Sequence, residues 1–139
     1  MSGIFFEDLK VGQTASLAKT ITEADILLFS AVSMDTNSAH LDEEASKKTP
    51  FGGRIAHGML SAGLISAVLG TRLPGPGTIY MGQTLRFKAP VRIGDTVTAT
   101  AEVKELNAEK KRAVLITTCT VAGKVVIDGE ATVLVPSRG

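Results

Sequence analysis

The chain has no tryptophan, one tyrosine, one cysteine and two histidines among its 139 residues. A lone cysteine, Cys119, cannot close an intrachain disulfide or build a cysteine metal site. Two histidines without paired ligand spacing also argue against zinc, so no metal is expected. This cysteine usage predicts a soluble protein of a reducing, cytoplasmic compartment. Excess charge is missing too. Fifteen Lys+Arg against 14 Asp+Glu leave a net +1, too balanced to grip a nucleic-acid backbone. No apolar run is long enough to span a bilayer, since residues 59–69 are interrupted by Ser61, Gly63 and Ser66. Glu7, Asp8 and Lys10 near the start do not give the basic-then-apolar order of a signal peptide. Neither nucleic acid nor a membrane is an expected partner.

A hydrophobic fraction of 44% with 21% charged residues is ordinary globular composition and excludes disorder. The length predicts one domain, residues 1–139, without repeats or linkers, and a surface large enough to leave room for an oligomer. The first half reads as helix and loop. Thr22 stands three residues before Asp25, a variant of the capping box, and an apolar helix through Ile26, Leu27, Phe29 and Val32 ends near Ser33. Residues 33–41 break into polar turn formers, and a short helix follows from Asp42. Residues 56–69 form a helix that is apolar nearly all round, which belongs in the middle of something. Gly63 within it marks a place where a close neighbour or a ligand needs the space.

The second half reads as strand. Residues 79–87 form one, closed by Pro90 and the Gly94-Asp95 turn. Val97, Ala99, Ala101 and Val103 alternate with polar residues, the period of a half-buried strand. Residues 113–121 are rich in β-branched side chains, and Ala122-Gly123 turns the chain into a last strand, residues 125–135. There Val125, Ile127, Ala131, Val133 and Val135 share a face, and Asp128-Gly129 reads as a bulge rather than a turn. Three or four antiparallel strands with one face covered by the apolar helix make an α+β fold.

The polar run Asp35-Thr36-Asn37-Ser38-Ala39-His40 carries the densest functionality in the first half. If its loop turns, the carboxylate and the imidazole converge on one water as an acid/base pair. Asp and Asn are equally ordinary turn residues, and His40 can simply cap the next helix. His57-Gly58 opens the apolar helix, whose first N–H groups suit a developing oxyanion. The bland reading is that Gly58 relieves crowding against the sheet and that His57 is a satisfied structural residue. Ser61 and Ser66 lack a nucleophile-elbow context. Gly75-Pro76-Gly77 lacks the setting of a phosphate loop, and Lys110-Lys111-Arg112 reads as a solvated hairpin. Cys119 reads as a small core hydrophobe.

Taken together, residues 35–40, the run Phe51-Gly52-Gly53-Arg54-Ile55-Ala56-His57-Gly58-Met59, residues 82–91 and residues 126–131 resemble the MaoC-like, (R)-specific enoyl-CoA hydratases over nearly the whole chain. The resemblance implies the hot-dog fold, a curved antiparallel sheet wrapped around a long central helix. It implies reversible syn hydration of trans-2-enoyl-CoA to (R)-3-hydroxyacyl-CoA, with no metal or redox cofactor. By this likeness Asp35 and His40 activate the water, Gly58 holds the thioester oxygen through its N–H, and Asn37 supports the loop from behind. Two positions depart from the family's run: Met34 stands where it has glycine, and Ser38 where it has proline. Met34 is expected either to impose a different backbone or to fill part of the acyl pocket, and Gly63 to leave room there for a longer chain. Arg86 and Lys88 are the candidates to meet CoA phosphates. The likeness further implies a homodimer or higher homo-oligomer paired through its sheets. A (3R)-hydroxyacyl-carrier-protein dehydratase using the same site, and a non-catalytic acyl-binding subunit, are the rival readings. A thioesterase fits the Asp-x-Asn-x-x-His run less well.

Overall fold

Alternating side chains in the second half lay down a six-stranded antiparallel sheet, seen in a computed structural model that describes residues 3–139. In chain order its strands are β1 (Thr14–Thr20), β2 (Ile79–Gln83), β3 (Arg86–Phe87), β4 (Thr96–Asn107), β5 (Arg112–Val121) and β6 (Lys124–Leu134). They lie side by side as β1-β4-β5-β6-β2, with β3 also pairing with β6. The period of two places Val97, Ala99, Ala101 and Val103 on one buried face, with Ala113, Leu115 and Cys119 beside them on β5.

Four helices cover that face and its end: α1 (Glu23–Ser33), α2 (Ser38–Leu41), α3 (Glu43–Ser46) and α4 (Gly58–Thr71). Thr22 caps α1 as expected: its Oγ1 accepts from the Asp25 N–H at 3.2 Å, and Asp25 Oδ2 accepts from the Thr22 N–H at 2.9 Å. The long helix α4 sets Leu60, Ile65, Val68 and Leu69 into the sheet. Each such side chain contributes roughly 1.5–3 kcal/mol by leaving water. Among the described residues no helix is long and apolar enough to cross a membrane.

Several expectations need correction. β1 was read as loop. Only two of its side chains, Ala15 and Leu17, are half-buried and none is fully buried, so its alternation is weak. The strand expected at 79–87 is two strands, because the Thr84 N–H turns to Glu130 O (2.9 Å) while Thr84 Oγ1 accepts from the Glu130 N–H (3.0 Å). The bulge in β6 is not at Asp128-Gly129, which pair directly with Thr118 and Thr117. The extra residue is Val126, so it joins Ile127 in the core and leaves Val125 exposed. Gly129 is glycine because a Cβ there would collide with the Thr84 carbonyl of the β2–β3 connection. α4 begins at Gly58, not residue 56, since the Ala56 N–H is taken by Val91 O at 2.7 Å and His57 is extended. Nor is α4 enclosed on all sides: Met59, Gly63 and Ser66 are exposed. A Cβ at Gly63 would meet nothing within 4 Å, so no neighbour within the chain needs that space.

Candidate active site

The polar segment after α1 folds back on itself through its own side chains. Met34 ends α1 in the left-handed conformation (φ 66°, ψ 11°). Ser33 Oγ donates to Phe29 O (2.6 Å) and accepts from the Asp35 N–H (3.1 Å). Asp35 Oδ1 then accepts from the Asn37 N–H (3.3 Å), and Asn37 Oδ1 accepts from the Ala39 N–H (2.9 Å), capping α2. Residues read as an open loop are therefore one helical turn, with Ser38 at its first position and His40 on it. This turn brings His40 Nε2 to 4.0 Å from Asp35 Oδ2. The separation is too long for a direct hydrogen bond and suits two groups sharing one water.

His40 Nδ1 lies 2.8 Å from Ile55 O. A carbonyl only accepts, so Nδ1 carries the proton and Nε2 turns a free lone pair toward Asp35. The His40 side chain is 12% exposed and that of Asp35 50%, so the pair sits half in, half out of the protein. Arg54, whose role the sequence did not disclose, holds this arrangement from behind. Its Nε donates to His40 O (2.6 Å), and its other nitrogens form a two-point contact with Glu23 at the start of α1 (2.8 and 3.0 Å).

His57 is buried and stands at the N-cap position of α4, where its side chain makes no capping hydrogen bond. Its Nε2 reaches Ser30 Oγ (3.1 Å) and Asp35 O (3.0 Å), and its ring stacks on His40 with centroids 3.8 Å apart and planes 28° from parallel. The reading of His57 as a satisfied residue fails at one atom, Nδ1, which is buried without a partner. Asp35, His40 and His57 bring ligand-type atoms within 4.8 Å of one another. They do not suit a metal, because nearly parallel stacked imidazoles cannot both aim in-plane lone pairs at one ion.

Gly58, the next residue, is the first of α4, whose leading N–H groups have no intrahelical partner and carry the positive end of the dipole. The Phe87 ring lies 2.5 Å from where a Gly58 Cβ would stand, so the backbone is bare at this point because β3 closes on it. Beside Gly58 opens a cavity of about 260 Å³ lined by Phe51, Ile55, Ser61, Phe87 and Lys88 among others. Lys88 thus stands at the cavity and Arg86 does not; both lie against Asp128, at 3.2 and 3.8 Å. Met34 keeps the left-handed backbone that a glycine would adopt, and its side chain is 85% exposed, which rules out the expected filling of an acyl pocket within the chain. Cys119 lies in the core, where burial pushes its thiol up to about 11, far from a nucleophile's range.

The chain is similar to known proteins over nearly its whole length. Residues 8–125 match the MaoC like domain. An (R)-specific enoyl-CoA hydratase of Rhodospirillum rubrum is 70% identical over 97% of this chain and 94% of its own length. A 3-hydroxybutyryl-CoA dehydratase of Methylorubrum extorquens is 56% identical over 97% of this chain and 86% of its own. Among solved structures, an unliganded R-hydratase from Pseudomonas aeruginosa superposes with a TM-score of 0.92 at 49% identity, covering 98% of this chain and 88% of that one. With the same sheet, the same long helix and this degree of identity, the chain belongs to the MaoC-like dehydratase family and has the hot-dog fold.

Proposed function

We infer that the protein is an (R)-specific enoyl-CoA hydratase, adding water reversibly across the 2,3 double bond of a trans-2-enoyl-CoA. The observation that carries this reading is the 4.0 Å gap between Asp35 and His40 beside the free helix start at Gly58. In the reaction the thioester oxygen accepts from the Gly58 N–H, and the helix dipole stabilises the enolate-like charge that builds as water attacks C3. A water held between Asp35 Oδ2 and His40 Nε2 loses one proton to this pair, and a proton returns from it to C2. Both transfers come from one side of the substrate, so the addition is syn, and presenting the face of C3 that gives the (R)-3-hydroxyacyl-CoA to this water falls to the walls that orient the acyl chain. Asn37 serves by holding the turn that brings Asp35 and His40 together.

Hydration changes no oxidation state and moves only protons and water, so the reaction needs no redox cofactor, and the stacked rings of His40 and His57 do not suit a metal. The CoA phosphates are assigned to Lys88 at the cavity, with Arg86 beyond it. The enzyme works as a homodimer joined at the β2 edge, where Ile79, Tyr80 and Met81 are exposed. A cytoplasmic setting accords with the buried free thiol of Cys119.

The test follows absorbance of the conjugated enoyl thioester with crotonyl-CoA and a medium-chain trans-2-enoyl-CoA, coupled to an (R)-specific dehydrogenase. Wild type is expected to consume both absorbance and substrate. Asp35→Asn is expected to lose about 10²–10⁴-fold in kcat while staying folded. No turnover by folded wild type would replace this reading with a carrier-protein dehydratase or an acyl-binding subunit.

A further inference from the structure

We propose that His57 is a positioning residue that clamps both members of the acid/base pair at once, from a buried ring held against α1. This role rests on the hydratase reading above. Nε2 of His57 lies 3.0 Å from the Asp35 carbonyl, which can only accept, so Nε2 carries the proton and donates it. Ser30 Oγ, 3.1 Å from the same nitrogen, shares it. Ser30 is itself buried, at 4% exposure, in the interior turn of α1 where an apolar side chain would ordinarily pack. Nδ1 is then a bare lone pair, since a buried N–H without an acceptor would cost more than an unused lone pair.

Two contacts reach the reacting groups from this one ring. The hydrogen bond sets where the Asp35 main chain, and so its carboxylate, can stand. The stack, 3.8 Å between centroids, sets the plane of His40 and therefore the direction of its Nε2. Phe29 closes the other side of His57 at 4.8 Å, so the ring has little freedom to tilt. His57 is buried and does not line the cavity beside Gly58, so it acts through Asp35 and His40. Because Gly58 follows it directly, the same ring also ties the pair to the N–H that holds the thioester oxygen.

Two variants separate the contacts. His57→Phe keeps a flat ring against His40 and removes the donor to Asp35. His57→Gln places an amide N–H near the position of Nε2 and removes the ring. Steady-state hydration of crotonyl-CoA is read beside wild type, whose turnover checks the hydratase reading independently. His57→Phe is expected to lower kcat about 100-fold with KM within about threefold, the signature of displaced reacting groups rather than lost binding. His57→Gln is expected to recover about tenfold of that loss. Should either variant fail to fold, Ser30→Ala decides, with kcat expected to fall about threefold or more at unchanged KM. An unchanged kcat in folded His57→Phe or in Ser30→Ala overturns the role. So does an equal loss in both His57 variants that tracks their melting temperatures, since that is packing alone. Inactive wild type would remove the hydratase reading, and this role with it.

Discussion

Met34 holds a backbone conformation that its side chain resists. At φ 66° and ψ 11° its Cβ crowds the following carbonyl, a strain of roughly 1–2 kcal/mol that glycine escapes. The side chain gains nothing in return, being 85% exposed. Met34→Gly is therefore expected to stabilise the fold by about 0.5–1 kcal/mol after the added freedom of the unfolded chain is deducted. Thermal unfolding should show the midpoint rising by about 2 °C. Asp35, Asn37 and His40 were legible as a group because they lie in one short run whose own side chains fold it, whereas Gly58 was assigned its role through the family resemblance. Ser30, Arg54 and the contacts of His57 were not legible. Ser30 meets His57 across 27 residues, and Arg54 meets Glu23 across 31. Nothing in local spacing records such meetings, and only the packing of α1 against the start of α4 creates them.

Among the elements, α2 shows how a single turn can escape notice and still position a site. Four residues bury no apolar stripe, so no period marks them, and only the Asn37 cap signals a helix. Ser38 is its first residue, a position whose N–H has no intrahelical partner and where proline's fixed φ fits. The preceding Asn37, at φ −56° and ψ 137°, already has the conformation that a following proline demands. Ser38→Pro is expected to raise stability by about 0.4–1 kcal/mol, measured as a shift in denaturant midpoint at constant slope. The alternating strands β4 and β5, and α1 with its capping box, were readable because each repeats one rule over many residues. The Val126 bulge, the break between β2 and β3 and the whole of β1 were not. Their form is decided by a neighbouring strand, as when the Glu130 carbonyl accepts from the Thr84 N–H while the Glu130 N–H donates to the Thr84 hydroxyl.

Across the whole molecule the segments near the two ends are fastened by two carboxylates: Asp8 pairs with the Arg138 guanidinium, and Glu7 makes the wider set of contacts. Glu7 Oε1 accepts from the Arg138 N–H (2.8 Å), Oε2 accepts from the Ser137 hydroxyl (2.6 Å), and Lys111 Nζ lies 3.6 Å away. The Arg138 N–H foremost, then the Ser137 hydroxyl, lower Glu7 from 4.5 to about 2. A carboxylate with a depressed folded pKa contributes its stabilisation above the unfolded value and loses it as pH falls through the folded one. The clasp is thus expected to hold above pH 4.5 and to release as pH approaches about 2. The protection of the Arg138 amide relative to its intrinsic exchange rate should fall over that window, and in Glu7→Gln that protection should no longer change with pH.

The groups assigned to the reaction stand between residues 35 and 58, and the sheet reaches them chiefly as bulk, through Phe87 against Gly58. Chemistry and scaffold are in this way written on separate stretches of chain. Outer-face threonines such as Thr98, Thr100, Thr118 and Thr120 are free to drift toward whatever solubility or partner surface a host demands. Novelty in the reaction itself has a much smaller target, one short polar turn and the start of one helix.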